Sequence, residues 1–330
     1  MSENNSGGIK LYSDVQTTQV QWLWYPFIAL GKLTLLQSDP GDGKSTMMLN
    51  LIAAISNGGT TPDGQSFGYP HRVIYQCSED GVEDTIKPRL ESCGANCVNI
   101  AFIDEETHGG LTLDDERIRQ SIASFRPWLV VIDPVQAYVG NDADLQVAGR
   151  ARKLMHRLGI WASTYDCAIV LIGHLNKKEG SKNIYRSLGS IDVVAAARSV
   201  LQVERDEEDE DIRIVRQIKN SLAPVGNEIR YEIRPESGFK WLVSSTDSDA
   251  VTVPDNKVLP KFETKQDKAA FLIKKYLTDG DMRSKEIFMR LHDEGIGRRT
   301  AQMAKQEMGV QSYRTRQEWY WTLGQKQNAE

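Results

Sequence analysis

The stretch LTLLQSDPGDGKSTMMLNLIAAI, residues 33–55, limits the possible folds of this chain more than any other part of it. An apolar run enters it, glycines at 41 and 43 interrupt it, and apolar residues at helical spacing leave it. Strand, loop and helix in that order set consecutive backbone N–H groups at a helix N-terminus, where partial positive charge collects. A loop of this kind cradles phosphates. The usual pattern is G-x-x-x-x-G-K-[ST], and Ser38 stands where the first glycine belongs. That position ends the strand, where a small residue with negative φ is tolerated. Gly41 and Gly43 open the backbone, and Lys44 supplies a cation for the β and γ phosphates. Ser45 supplies a hydroxyl for Mg²⁺, and Thr46 lies one step deeper. Asp39, Pro40, Gly41, Asp42, Gly43, Lys44, Ser45 and Thr46 are thus the candidate nucleotide-binding residues.

A metal held at such a loop needs a further carboxylate. The run WLVVIDP ends in Asp133, the position from which an acid holds Mg²⁺ through water. An Asp there also suits a turn before Pro134, so two roles are open to it.

Apolar runs at 33–37, 72–80, 127–134 and 167–177 alternate with helical patterns near 45–56, 82–93, 114–124 and 148–165. Strands without polar alternation, separated by helices, specify a parallel sheet covered on both faces. The pattern changes after residue 198: SVLQVE and IRIVRQIK flank the acidic run RDEEDED, and NEIRYEI and FKWLV follow. These segments predict an antiparallel extension of the sheet. Trp22 and Trp24 are spaced as one face of a strand. Residues 1–243 therefore read as one α/β domain. The polar stretch 244–264, with Pro254 and Pro260, reads as a linker. Residues 265–330 hold three short helical patterns and then SYRTRQEWYWTL, a β-wing, which together form a winged-helix or helix-turn-helix pattern.

A net charge of -5 on 330 residues leaves no overall basic field to announce nucleic acid. The segment from Lys265 onward is nonetheless net basic against an acidic remainder, as an appended binding module would be. No apolar run approaches the roughly 20 residues of a membrane span. The first ten residues are polar and lack the apolar core of a signal peptide. Cys77 and Cys167 lie in apolar runs, and the pair Cys93 and Cys97 has no matching second pair for zinc. The expected setting is a reduced cytoplasm, with no membrane partner.

Glu79 and Asp80 follow the strand VIYQC. An acid there, beyond the strand after the phosphate-loop helix, resembles the RecA-like ATPases. The chain resembles in particular the RepA-like AAA-family ATPases of plasmids, phages and mobile elements. The resemblance rests on GKLTLLQSDPGDGKST, VIYQCSEDG, KPRLESCGA, LVVIDPVQAYVG, IGHLNK, YRSLGSIDVVAAARSVL and KNSLAPVG, and covers about residues 20–243. It implies a RecA-like fold, hydrolysis of ATP with Mg²⁺, and assembly into a ring, a hexamer in the family. It implies Glu79 as the base that activates water, Asp80 being open instead to a helix N-cap role. It implies His174 as a polar sensor of the γ-phosphate, although a histidine at a strand end also serves as hydrogen-bonded structure. It implies Lys219, with Arg216 as a rival, as the cation a neighbouring copy supplies, although either is open instead to the role of a solvated strand residue. Arg89 and Arg198 are weaker candidates for that cation and read more simply as structural ion-pair residues.

RecA-like helicases contact single-stranded DNA from loops that face a central channel. Residues 138–150 and 175–190 match those loops, the second carrying Lys177, Lys178, Lys182 and Arg186 among glycines and serines. Cations on flexible backbone track a phosphate chain without reading sequence, and an ordinary exposed basic loop has the same composition. In the last domain Arg298, Arg299 and Lys305 fall on the third helix, with Arg314 and Arg316 in the wing, positions suited to duplex DNA or to docking a protein. Three functions follow: a DNA motor of a replicative helicase or translocase, an ATP-dependent DNA-binding regulator or loader, and a recombinase-like filament.

Overall fold

The structure is a computed structural model, described at residues 11–105, 107, 109–139, 148–175, 191–242, 264–277, 281–293, 295–315 and 318–323. The chain divides into two compact units, Met1–Asp247 and Ser248–Glu330. The linker expected at 244–264 lies outside the described residues except for Thr264.

In the first unit β1 (Trp22–Trp24) and β2 (Ile28–Ala29) pair antiparallel. Then come β3 (Leu33–Ser38), α1 (Lys44–Asn57), β4 (Val73–Cys77), α2 (Lys87–Ser92), β5 (Ile100–Ala101), α3 (Glu116–Phe125), β6 (Leu129–Asp133), α4 (Ala148–Tyr165), β7 (Ala168–His174) and α5 (Ile191–Ala196). Four strands close the unit: β8 (Ser199–Arg205), β9 (Ile212–Asn220), β10 (Ile229–Arg234) and β11 (Gly238–Leu242). They form one nine-stranded sheet in the order β11-β10-β9-β8-β3-β7-β6-β4-β5. The strands from β8 to β5 run parallel, and β9, β10 and β11 add the antiparallel extension.

The parallel strands are apolar throughout because helices cover both faces. Met47, Met48 and Ile52 of α1 join Leu36, Val131 and Tyr231 in one core. Met155 and Leu158 of α4 join Leu35, Ile132 and Leu171 in the other. Leu35 and Leu36 are both fully buried, on opposite faces. Truncating either to Ala costs about 2–5 kcal/mol. Gly58 ends α1 at φ +67, and a Cβ there would lie 2.3 Å from the Tyr69 carbonyl carbon, so the site admits only glycine.

The continuous helix expected over 82–93 is instead a π-helical turn, Val82–Ile86, running into α2. Pro88 near the start of α2 has no N–H to donate, which interrupts a regular ladder through this stretch. Gly81, not Asp80, holds the N-cap position. The Asp80 carboxylate instead accepts from Arg89 at 2.7 Å.

This topology sets the carboxyl ends of the parallel strands along one edge, as in other open α/β sheets. Pairing of β3 with β7 places Ser38 opposite His174, and pairing of β4 with β6 places Cys77 opposite Asp133.

The second unit contains α6 (Lys265–Leu277), β12 (Met282–Arg283), α7 (Ser284–Asp293), α8 (Arg298–Glu307), β13 (Gln311–Thr315) and β14 (Glu318–Thr322). Its antiparallel sheet has the order β12-β14-β13. Leu272, Ile273, Ile287, Leu291 and Trp321 fill a core of its own.

Candidate active site

The loop between β3 and α1 takes the conformation its glycines permit. Gly41 and Gly43 both have φ +82, with Asp42 between them. Alternation of this kind turns successive N–H groups to one side and makes an anion-binding concavity. Asp39 and Pro40 are exposed and Asp42 is buried, while Ser45 and Thr46 are half-buried in the first turn of α1.

Lys44 turns back over the end of β3. Its ammonium donates to the Ser38 carbonyl at 3.2 Å, to Ser38 Oγ at 2.8 Å and to the Asp39 carbonyl at 3.0 Å. It also lies 3.3 Å from His174 Nδ1. Burial lowers the Lys44 pKa, and the fields of Asp42, Asp133, Asp39 and Glu79 oppose that shift. Ser38 does more than the sequence suggested: its hydroxyl gives the lysine an acceptor that glycine would lack.

Asp133 is 4% exposed at the end of β6. It accepts a hydrogen bond from Tyr75 Oη at 2.8 Å, and the Ser45 hydroxyl lies near enough to favour its charged form. Burial raises its pKa, and the two hydroxyls and Lys44 oppose the rise. Asp133 at the end of β6 and Ser45 in the first turn of α1 are therefore an oxygen-donor pair of the kind Mg²⁺ takes. Tyr75, two residues before Cys77 in a strand, went unnoticed in the sequence because its apolar body reads as core.

Glu79 Oε1 lies 3.7 Å from His174 Nε2. His174 thus stands between Lys44 and Glu79. Glu79 is the more exposed of this pair, its side chain 60% accessible, so solvent reaches it.

Lys219 lies elsewhere. Its ammonium donates to the carbonyls of Val194 at 2.7 Å, Ala195 at 3.1 Å and Ala197 at 2.7 Å, closing the end of α5. Burial and the nearby Arg198 lower its pKa. Arg216, its rival, pairs with Glu204 and Glu228. Lys177, Lys178, Lys182 and Arg186 lie outside the described residues, as do residues 140–147 and Arg316. In the second unit Arg298 stacks over Phe288 at 4.8 Å and Lys305 over Trp321 at 5.2 Å. Arg299 and Arg314 are exposed.

Two further residues touch the phosphate loop and had no signal in the sequence beyond a strand pattern. Arg205 ends β8 and donates to Asp42 Oδ1 at 3.0 Å and to the Gly41 carbonyl at 3.2 Å. Tyr231 of β10 donates to the carbonyls of Asp42 at 3.2 Å and Gly43 at 3.3 Å.

A mostly parallel sheet with this loop at its carboxyl edge and an antiparallel extension defines a RecA-like ATPase fold. A solved structure, the ATPase domain of G40P, shares the fold at 16% identity and a TM-score of 0.50, over 64% of this chain and 84% of that one. Residues 10–180 match the family described as AAA domain, and the chain belongs to that family. DNA repair protein RadA of Bacillus subtilis (strain 168) is 28% identical over 211 residues, which is 63% of this chain and 40% of RadA. RadA of Streptococcus pyogenes serotype M3 (strain ATCC BAA-595 / MGAS315) is 30% identical over 202 residues, 60% of this chain and 38% of that protein. The chain thus spans about two fifths of the length of these relatives. No helix among the described residues is long and apolar enough to cross a membrane.

Proposed function

We propose that the chain is an ATP-hydrolysing DNA motor, a replicative helicase or translocase of the RepA-like kind that works as a homo-oligomeric ring, most simply a hexamer. The observation that carries this reading is the row Lys44, His174, Glu79 beside Asp133 at one sheet edge. The backbone of residues 41–46 and Lys44 would hold the phosphates of ATP, and Ser45 and Asp133 would hold Mg²⁺. Bound ATP supplies the γ-phosphoryl group, whose transfer to water releases the energy for movement. Glu79 orients a water molecule and takes its proton. His174 carries the state of Lys44 across to Glu79. Similarity to DNA repair protein RadA supports DNA as the partner.

In this reading residues 1–243 form the motor, with single-stranded DNA passing along segments 138–150 and 175–190. Residues 265–330 form a winged helix that meets duplex DNA through Arg298 and Arg299. Lys219 of one copy completes the site of the next. That role requires it to leave the three carbonyls it now holds. A second reading has ATP control assembly of a DNA-binding regulator or loader without processive unwinding.

The deciding experiment measures ATPase rate with and without single-stranded DNA, then strand displacement, with Glu79→Ala as the control. Stimulated hydrolysis with duplex opening supports the motor. Hydrolysis indifferent to DNA, with no duplex opened, sinks it.

A further inference from the structure

The antiparallel extension of the sheet does more than widen it. Tyr231 is fully buried, stacked at 5.1 Å on Phe239 and edge-on at 5.6 Å to Trp241. Its side chain passes beneath the phosphate loop, where Ile233 Cδ1 would lie 2.6 Å from any Cβ added to Gly43. Its one hydroxyl hydrogen is shared between the carbonyls of Asp42 and Gly43. Arg205 holds the next carbonyl back, that of Gly41, while its other nitrogen grips the Asp42 carboxylate.

Three successive carbonyls, at residues 41, 42 and 43, are therefore tied back to β8 and β10. In a trans peptide the carbonyl and the following N–H point in opposite directions. A carbonyl anchored on the extension turns the next N–H away from it. The N–H groups so aimed are those of Asp42, Gly43 and Lys44, the groups a polyphosphate needs. The Gly43 carbonyl also accepts from Met47 N–H at 2.9 Å, so α1 shares in fixing it. The carbonyls of Gly41 and Asp42 lie ahead of the helix, and their side-chain donors are Arg205 and Tyr231.

We propose that Tyr231, with Arg205, is a positioning residue for nucleotide: it pre-orients the N–H groups of the phosphate loop, so the antiparallel extension is part of the phosphate site. This rests on the nucleotide-binding reading above and deepens it. It acts on phosphates alone and is indifferent to base.

The test uses the full chain and titrates ATP and inorganic tripolyphosphate by calorimetry, with Mg²⁺ present, against wild type and Tyr231→Phe. Phe keeps the ring and its packing and removes only the hydroxyl. The expected result is a dissociation constant about five- to tenfold higher for both ligands, by an equal factor, measured well below the melting temperature. Arg205→Gln, at a half-exposed position, raises both by about two- to fivefold and serves if the Phe variant folds poorly. A lower melting temperature with unchanged dissociation constants assigns the hydroxyl to the fold and overturns the proposal. Weakening for ATP alone, with tripolyphosphate unaffected, overturns it also, since the contact would then be to the nucleoside. If wild type binds neither ligand, the nucleotide reading fails and takes this one with it; if wild type binds both and the variants match it, only this one fails.

Discussion

His174 Nδ1 lies 3.3 Å from Lys44 Nζ, a contact that suits the imidazole tautomer with an accepting Nδ1. An ammonium has only donors, so Nδ1 must accept. The ring proton then sits on Nε2, which faces Glu79 Oε1 at 3.7 Å. A phosphate that draws Lys44 away frees Nδ1 and changes what Nε2 can do for Glu79. In the proposed motor the histidine would report the lysine's partner to the acid.

Replacing His174 with Ala should therefore separate binding from turnover. The dissociation constant for ATP is expected to change less than about threefold, while kcat falls about 10- to 100-fold. Gln at this position, which can accept and donate at once, should recover part of the loss. Steady-state kinetics beside nucleotide titrations decide it, and equal losses in both would place His174 among simple phosphate ligands.

Lys44 carries a lowered pKa because burial outweighs the acids around it. A basic group with a depressed folded pKa binds fewer protons folded than unfolded, so its penalty is full at low pH. Stability from this group rises as pH climbs toward the ordinary lysine value of 10.5. Lys44→Met removes the charge and keeps the stem. The variant should melt at or above the wild-type temperature near neutral pH, with the gap closing as pH approaches that value. Its nucleotide affinity should be lost by at least about 100-fold. Thermal melts across pH check the first claim. A variant that melts lower than wild type at neutral pH contradicts it.

Much of this arrangement was legible in the sequence, and the reason is local. Strands 33–38, 129–133 and 168–174 are buried on both faces, so their composition alone announced them. The loop, Lys44, Asp133, Glu79 and His174 each lie at or just past a strand end, and strand ends of a parallel sheet converge by topology. What was not legible depends on side chains meeting across distant strands. Tyr75, Arg205 and Tyr231 look like ordinary strand residues until the sheet order brings them to the site. Ser38 was read as a tolerated departure, because a pattern scores a glycine as lost and cannot score a hydroxyl gained. Lys219 was picked from a motif, and a motif does not show that α5 ends within its reach.

Tyr75 offers a test of the metal side. Its hydroxyl donates to Asp133 at 2.8 Å and holds that carboxylate in place. Removing such a supporting partner costs about 10- to 100-fold in metal affinity or activity. Tyr75→Phe should raise the Mg²⁺ concentration for half-maximal ATPase by about that range. A Mg²⁺ titration at saturating ATP measures it. An unchanged midpoint would leave Tyr75 as core packing only.

Lys219 carries two assignments that one pair of variants can separate. It caps α5 within its own chain through three carbonyls. Removing the ammonium should cost about 1–3 kcal/mol of stability, a fall of several degrees in melting temperature. If it also serves a neighbour's site, Lys219→Ala and Glu79→Ala lie on opposite sides of one interface. Each variant alone is then inactive at every site. Mixed in equal amounts and allowed to exchange subunits, the two should recover activity, because some interfaces join an intact Glu79 to an intact Lys219. In a head-to-tail ring with random mixing, roughly a quarter of sites are whole. Activity near that fraction, appearing only on mixing, assigns Lys219 to the partner's site. A mixture no more active than the sum of its parts, with a lowered melting temperature for Lys219→Ala, leaves the lysine as the cap of α5 and returns the search for a shared cation to Arg216.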